Sequence, residues 1–175
     1  HNKEVLEVKS VSIGNDWPGG QFDAALNVWR KAASLDPDDA DIRNNLGMVL
    51  TDMRRYADAE QALRQALALR PDYAGAMNNL GRVLVWKGEF DGAAALLARA
   101  SAGDPGNSTY WNSLGVALRE SGEYDEALPL LKRAVEKRPG DWNALADLGE
   151  AHYRLSDAEQ AVAALEKSWE LSPWR

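Results

Sequence analysis

The side chains able to do chemistry are few, and their spacing decides which kind. Two histidines occur, His1 and His152, and there is no cysteine, so thiolate nucleophiles, disulfides and cysteine-ligated metals are excluded. No HExxH, GxSxG, Walker A or GxGxxG spacing is present, and Gly19-Gly20 is only a turn signal. Asp36, Asp38, Asp39 and Asp41 make an acidic run that lacks the spacing of a calcium loop; it reads as capping and solvation at a turn. Catalysis needs an acid, base, nucleophile or metal ligands that converge. With nothing to converge, the chain is expected to be non-enzymatic, without cofactor or metal. What remains are groups that bind rather than react: side-chain amides that both donate and accept, arginines that pair with carboxylates, and aromatics. They recur in register, as Asn44-Asn45, Asn78-Asn79 and Asn112, with Arg82, Trp86 and Arg119 on the same segments and Tyr153 on the next.

That register belongs to a repeat. Pro37, Pro71, Pro105, Pro139 and Pro173 fall at an interval of 34 residues, the mark of an array of like units. Leu-Gly recurs as Leu46-Gly47, Leu80-Gly81, Leu114-Gly115 and Leu148-Gly149. An aromatic follows as Tyr56, Phe90 and Tyr124, replaced by Ala158. Small residues come next, Ala59, Ala93, Ala127 and Ala161, then Ala66, Ala100, Ala134 and Ser168. These residues resemble the tetratricopeptide repeat, a helix-turn-helix unit patterned Trp-x2-Leu-Gly-x2-Tyr, then Ala, Phe, Ala and Pro. The likeness covers roughly residues 22 to 175. It departs at the first aromatic, kept only as Trp111 against Arg43, Met77 and Leu145, and at the tyrosine, which is Leu50, Leu84, Leu118 and His152. His152 therefore reads as a packed or hydrogen-bonded core residue.

The resemblance implies an all-α, right-handed α-solenoid of stacked helix-turn-helix units. The expected division is 1–21 as a degenerate first helix or linker, 22–39 as the second helix of a first unit, then four units at 40–73, 74–107, 108–141 and 142–175. Elementary physics gives the repeated residues their reasons. At about 100° per residue, the Leu, Gly and apolar positions of each first helix share one stripe. A helical glycine is unfavourable by about 1 kcal/mol relative to alanine, which makes sense where two backbones approach closely. Proline ends each unit and holds the residue before it extended. Asp38, Asp72, Asn107 and Asp141 follow the prolines and are placed to cap or charge-stabilise the next helix. Pro129, inside a second helix, predicts a distorted or late-starting first turn.

Composition narrows the partners. The hydrophobic fraction is 45% and the net charge −7, which disfavours nucleic acid and anionic membranes, since both need a basic field. No apolar run approaches the roughly 18 residues of a membrane span, and no signal-peptide pattern opens the sequence as given; the absence of cysteine is compatible with cytoplasm and periplasm alike. Residues 7–17 read as a degenerate, shortened helix stopped by Pro18-Gly19-Gly20; alternatively residues 5–14, from their β-branched content, read as an extended segment of a preceding domain or linker. In the last helix Val162, Leu165, Trp169 and Leu171 cannot all find neighbours; either the array continues or its ends pair with another chain, giving a homo-oligomer. Trp29 and Trp111 read as core, Trp17, Trp142, Trp169 and Trp174 as packing at ends or between repeats, and Trp86 as pointing away from the packing stripe.

The family likeness implies that the stripe opposite the packing one lines a concave peptide groove. The expected contacts are Asn44, Asn45, Asn78, Asn79, Arg82, Trp86, Asn112, Arg119 and Tyr153. The sixth-position pair Asn45 and Asn79 resembles the asparagine ladder of O-linked N-acetylglucosamine transferases, interrupted here by Ser113 and Asp147. A carboxylate clamp for chaperone tails would want a lysine at the fifth position, which no unit supplies. The resulting expectation is a scaffold for an extended peptide or a partner helix. The alternatives are a targeting segment of a larger glycosyltransferase or sulfotransferase, and self-assembly through uncapped ends.

Overall fold

The computed structural model describes residues 22–173; the two readings of residues 5–17, and the expectations for Trp17 and Trp174, lie outside them. The described residues form two compact units that meet in sequence at Lys87 and Gly88. The first holds α1 (Phe22–Leu35), α2 (Ala40–Asp52), α3 (Tyr56–Leu69) and α4 (Ala74–Lys87). The second holds α5 (Phe90–Gly103), α6 (Ser108–Ser121), α7 (Tyr124–Lys137), α8 (Trp142–Arg154) and α9 (Ala158–Leu171). Among the described residues every regular element is a helix, and within each unit every helix packs on the next in sequence. In addition α2 touches α4, and α6 touches α8. This is the all-α stack of helix-turn-helix units that the repeat predicts.

The repeated residues start, stop and pack these helices. Tyr56, Phe90, Tyr124 and Ala158 are each the first residue of a second helix. The residue before each proline is held out of the helical region, with φ/ψ of −138°/90° at Arg70, −139°/82° at Asp104 and −136°/78° at Arg138, as steric clash with the proline ring demands. The turn inside each unit also repeats, with a left-handed residue at Arg54, Gly88, Gly122 and Ser156, φ 57°, 78°, 91° and 63°. One residue later an N–H reaches back five positions, from Arg55 to Leu50 O at 2.8 Å, Glu123 to Leu118 O at 2.8 Å and Asp157 to His152 O at 2.9 Å. The turn thus satisfies a helix-end carbonyl that would otherwise lack a partner.

Packing explains the glycines. A Cβ on Gly47 would stand 2.5 Å from Leu63 Cγ, and on Gly115 2.7 Å from Leu131 Cγ. On Gly149 it would lie 2.7 Å from Leu165 Cγ and 3.2 Å from the Ala161 carbonyl. The alanines facing them, Ala59, Ala66, Ala127 and Ala134, are buried. Where serine replaces alanine at Ser168, its hydroxyl donates to Trp142 O at 2.7 Å, so the buried oxygen keeps a partner.

Three expectations need correction. The capping residue stands two places after the proline: Asp39 Oδ1, not Asp38, accepts from Asp41 N at 2.8 Å and Ile42 N at 3.1 Å. Asn107 and Asp141, already two places on, accept from Thr109 N and Ala144 N; Tyr73 holds the corresponding place before α4, and Asp72 is exposed. Second, α7 starts at Tyr124, in step with the other second helices, and runs through Pro129. Its first turns are pinned by buried Ala127 and Leu131 against α6 while Pro129 itself faces solvent. Third, Trp169 is exposed rather than packed. Trp29 is buried and Trp111 half-buried. The Trp111 indole N–H donates to Pro105 O at 3.1 Å; Arg43, at the same place in its own repeat, donates to Pro37 O at 3.3 and 3.2 Å. Arginine can stand where the pattern wants tryptophan because both reach the carbonyl six residues back.

Candidate interaction face

The amides occupy two environments. Asn44 and Asn78 are buried, while Asn45, Asn79 and Asn112 are half-buried. Asn79 Nδ2 donates to Asn44 Oδ1 at 2.9 Å, and Asn112 Nδ2 donates to Asp147 Oδ2 at 3.1 Å. Both pairs join the fifth position of one first helix to the sixth position of the next. The fifth position therefore faces the neighbouring first helix, because α2 meets α4 directly and α6 meets α8. Treating each helix alone placed the fifth position on the solvent stripe; the second periodicity, one repeat plus one residue, was present in the sequence as the signal for this clasp. Asn45 Oδ1 is engaged only at 3.4 Å, by Asn44 Nδ2. Buried oxygens of Asn78 and Asn112 carry no hydrogen bond.

In the first unit the face of α4 leaves two large groups in solvent. Trp86 is 62% exposed, yet its ring lies parallel to that of Tyr56, with centroids 6.1 Å apart and planes 8° from parallel. Arg82, one turn earlier, is exposed and makes no hydrogen bond among the described residues. Its charge is felt by Asp52, whose carboxyl is pushed above the usual range by burial and drawn partly back by Arg82. The sequence singled out Trp86 and Arg82; it gave no sign of the Tyr56 stack, which depends on how far α4 slides along α3.

In the second unit a cation one repeat on from Val85, rather than from Arg82, is engaged. Arg119 is only 11% exposed in its side chain. It pairs with Glu150, with Glu120 at 2.7 Å and with Asp147 at 3.4 Å, and its Nε is buried without a partner. Burial raises the Asp147 carboxyl, against the lowering effects of Arg119 and Asn112. Arg154 also reaches Glu150, at 3.5 Å. Tyr153 is 68% exposed. His152 is buried, with Nδ1 2.9 Å from Asp157 Oδ2, a hydrogen-bonded core histidine as its repeat position predicts. Among the described residues no group of three or more His, Asp or Glu is placed to hold a metal, and no helix is long and apolar enough to cross a membrane.

The architecture and the sequence signature agree with a known family. The tetratricopeptide repeat profile matches residues 50–115 and 118–173, and a second profile, described as TPR repeat, matches residues 19–53. The chain belongs to the tetratricopeptide repeat family. No curated protein matches it by sequence. Among solved structures it is similar to one titled "Crystal structure of MamA", with a TM-score of 0.74 and 26% identity over 87% of this chain and 89% of that one. A second, "MamA 41-end from Desulfovibrio magneticus RS-1", gives a TM-score of 0.78 at 21% identity, covering 96% and 94% of the two chains. A third MamA structure superposes with a TM-score of 0.75 at 23% identity. At these identities the likeness is one of fold. This tetratricopeptide chain is, in general terms, a protein-interaction scaffold.

Proposed function

We propose that this scaffold holds an extended peptide or a partner helix on the exposed face of its first helices, and that in the first unit the contacts are Arg82, Trp86 and Asn45. The observation that carries this reading is Trp86: a large aromatic exposed over most of its surface yet held parallel to Tyr56. An aromatic fixed in orientation before binding loses little freedom when a ligand covers it, and Trp and Arg are the types most often found where binding energy concentrates. Arg82 offers its guanidinium to a carboxylate, and Asn45 offers an amide to a peptide backbone. Asn44 and Asn78 are too buried to touch a ligand, and Asn79 acts through its hold on Asn44. In the second unit Tyr153 is the accessible group, while Arg119 is neutralised by three carboxylates. The preferred ligand would present an apolar or aromatic side chain to Trp86 and a carboxylate within reach of Arg82.

The test is a peptide array probed with the purified chain, followed by titration calorimetry on the strongest binders. Trp86→Ala and Arg82→Glu should each weaken binding by about 2 kcal/mol, near thirtyfold, with circular dichroism unchanged. Binders indifferent to both changes would remove the face from consideration.

A further inference from the structure

We infer, resting on the reading of the first unit's face just given, that Asp52 sets its specificity: the peptide selected carries a lysine or arginine two residues from the carboxylate that Arg82 holds. The ion pairs of the second unit give the register in which such faces are built. Arg119 of α6 pairs with Glu150 of α8, so the twelfth position of one first helix meets the ninth of the next. By the same register Thr51 of α2 stands opposite Arg82 of α4, and α2 and α4 touch. Threonine brings no charge, and its hydroxyl already donates to Gly47 O at 2.8 Å. Asp52, the next residue and the last of α2, feels the Arg82 guanidinium. Neither Asp52 nor Arg82, however, has a hydrogen bond or an ion pair among the described residues. Both lie inside the array, with described helices before and after them.

The second unit shows what the first one lacks. There Arg119 gathers Glu120, Asp147 and Glu150, and a second arginine, Arg154, completes the set by pairing with Glu150. In the first unit Arg55 and Lys87, which flank the aromatic pair in sequence, are held by Asp58 and Glu60. A ligand carboxylate on Arg82 would therefore set two carboxylates at one guanidinium with no second cation from the chain. Although Asp52 is exposed overall, its carboxyl is shielded enough that burial outweighs Arg82 and raises it, so the repulsion falls where water screens it poorly. A cation on the ligand, beside its carboxylate, relieves that repulsion and takes Asp52 as its partner. In an extended peptide, side chains two residues apart share a side and stand about 7 Å from each other, a span suited to groups on facing helices about 8–10 Å apart. Trp86 lies one turn beyond Arg82, about 6 Å along α4. The ligand thus reads cation, carboxylate and apolar side chain at alternate residues.

The probe is the peptide acetyl-Ser-Lys-Thr-Glu-Thr-Phe-Ser-amide, with versions in which glutamine or glutamate replaces the lysine, and the same three in reversed order. Binding to the full chain at low salt is followed by the shift of the Trp86 indole N–H in nitrogen-correlated NMR spectra, the resonance being identified from Trp86→Phe. In the order that binds, the lysine peptide should bind about fivefold more tightly than the glutamine peptide, and the glutamate peptide should bind most weakly. Asp52→Asn should erase the advantage of lysine over glutamine without weakening the glutamine peptide, and added salt should shrink that advantage. Arg82→Gln should weaken all three. Asp52 and Arg82 are exposed, so the backbone resonances report that the fold is intact in each variant. Equal binding of the lysine and glutamine peptides, or a lysine preference that survives Asp52→Asn, would overturn the inference while leaving the face itself in place. Absence of binding by every peptide, or binding that leaves the Trp86 indole unmoved, would overturn the reading of the face and the role of Asp52 with it.

Discussion

Asp147 shows how one side chain can hold two helices together and still weaken the fold at neutral pH. It accepts from Asn112 and lies 3.4 Å from Arg119, yet burial outweighs both and leaves its carboxyl raised. A carboxyl whose folded pKa stands above its unfolded value binds its proton more tightly in the native state. Its contribution to stability is fully present below the unfolded pKa and is lost as pH rises through the folded one. Asn is the residue at this place in two other repeats, as Asn45 and Asn79, and it keeps an oxygen for Asn112. The expectation is that Asp147→Asn gains stability relative to the parent as pH rises from the ordinary carboxylate range towards neutrality, measured by urea unfolding at a series of pH values. A parent and variant whose difference does not change with pH would show that Asp147 titrates normally. Glu60, lowered by hydrogen bonds from Lys87 and Arg64, has the opposite dependence, so only the difference between the two proteins isolates Asp147.

At the scale of the element, the left-handed turn residue is the feature that varies most in its fit. Glycine holds it twice, at Gly88 and Gly122, and a side-chain-bearing residue twice, at Arg54 and Ser156. The left-handed region is unfavourable by about 1–2 kcal/mol for a residue with a Cβ. Arg54→Gly and Ser156→Gly should each stabilise by roughly 1 kcal/mol, and Gly122→Ala should destabilise by about as much, read as shifts in the urea midpoint at constant m-value. No change at Arg54 would mean that the greater freedom glycine gives the unfolded chain offsets the relief of strain. The sequence made the helices legible because glycine, alanine, the second-helix aromatic and proline each have a local reason to recur. It did not reveal the role of the fifth-position asparagines, since a single-helix projection cannot show that α2 lies against α4. Nor did it reveal the engagement of Arg119, whose partners Asp147 and Glu150 lie a whole repeat away. The capping position was misread by one residue at Asp38, because the cap stands two places after the proline, at Asp39, as it does at Asn107 and Asp141.

At the scale of the whole array, stability should follow nearest neighbours, since each helix is held chiefly by those before and after it in sequence. Within the second unit α7 packs on both α6 and α8, whereas among the described residues α9 packs on α8. Two chemically identical changes should then unfold different amounts of protein. Gly149→Ala drives a methyl into Leu165 and towards the Ala161 carbonyl, at the interface that holds α9 among the described residues. Overpacking of this kind is unfavourable by about 1–3 kcal/mol, against a helix-propensity gain of about 1 kcal/mol. The net loss falls on a helix with little else to hold it, so the amides of Ala158–Leu171 should lose hydrogen-exchange protection while those of Tyr124–Lys137 keep theirs. Gly115→Ala drives the same methyl into Leu131, but α7 is held from both sides, so the loss should spread over α6, α7 and α8 and appear as a lower global stability. The measurement is exchange mass spectrometry on both variants. Equal, uniform loss of protection in the two would show that the second unit unfolds as one block and that its last helix is no weaker than the rest. Local loss at α9 would mark it as the most readily opened helix of the second unit.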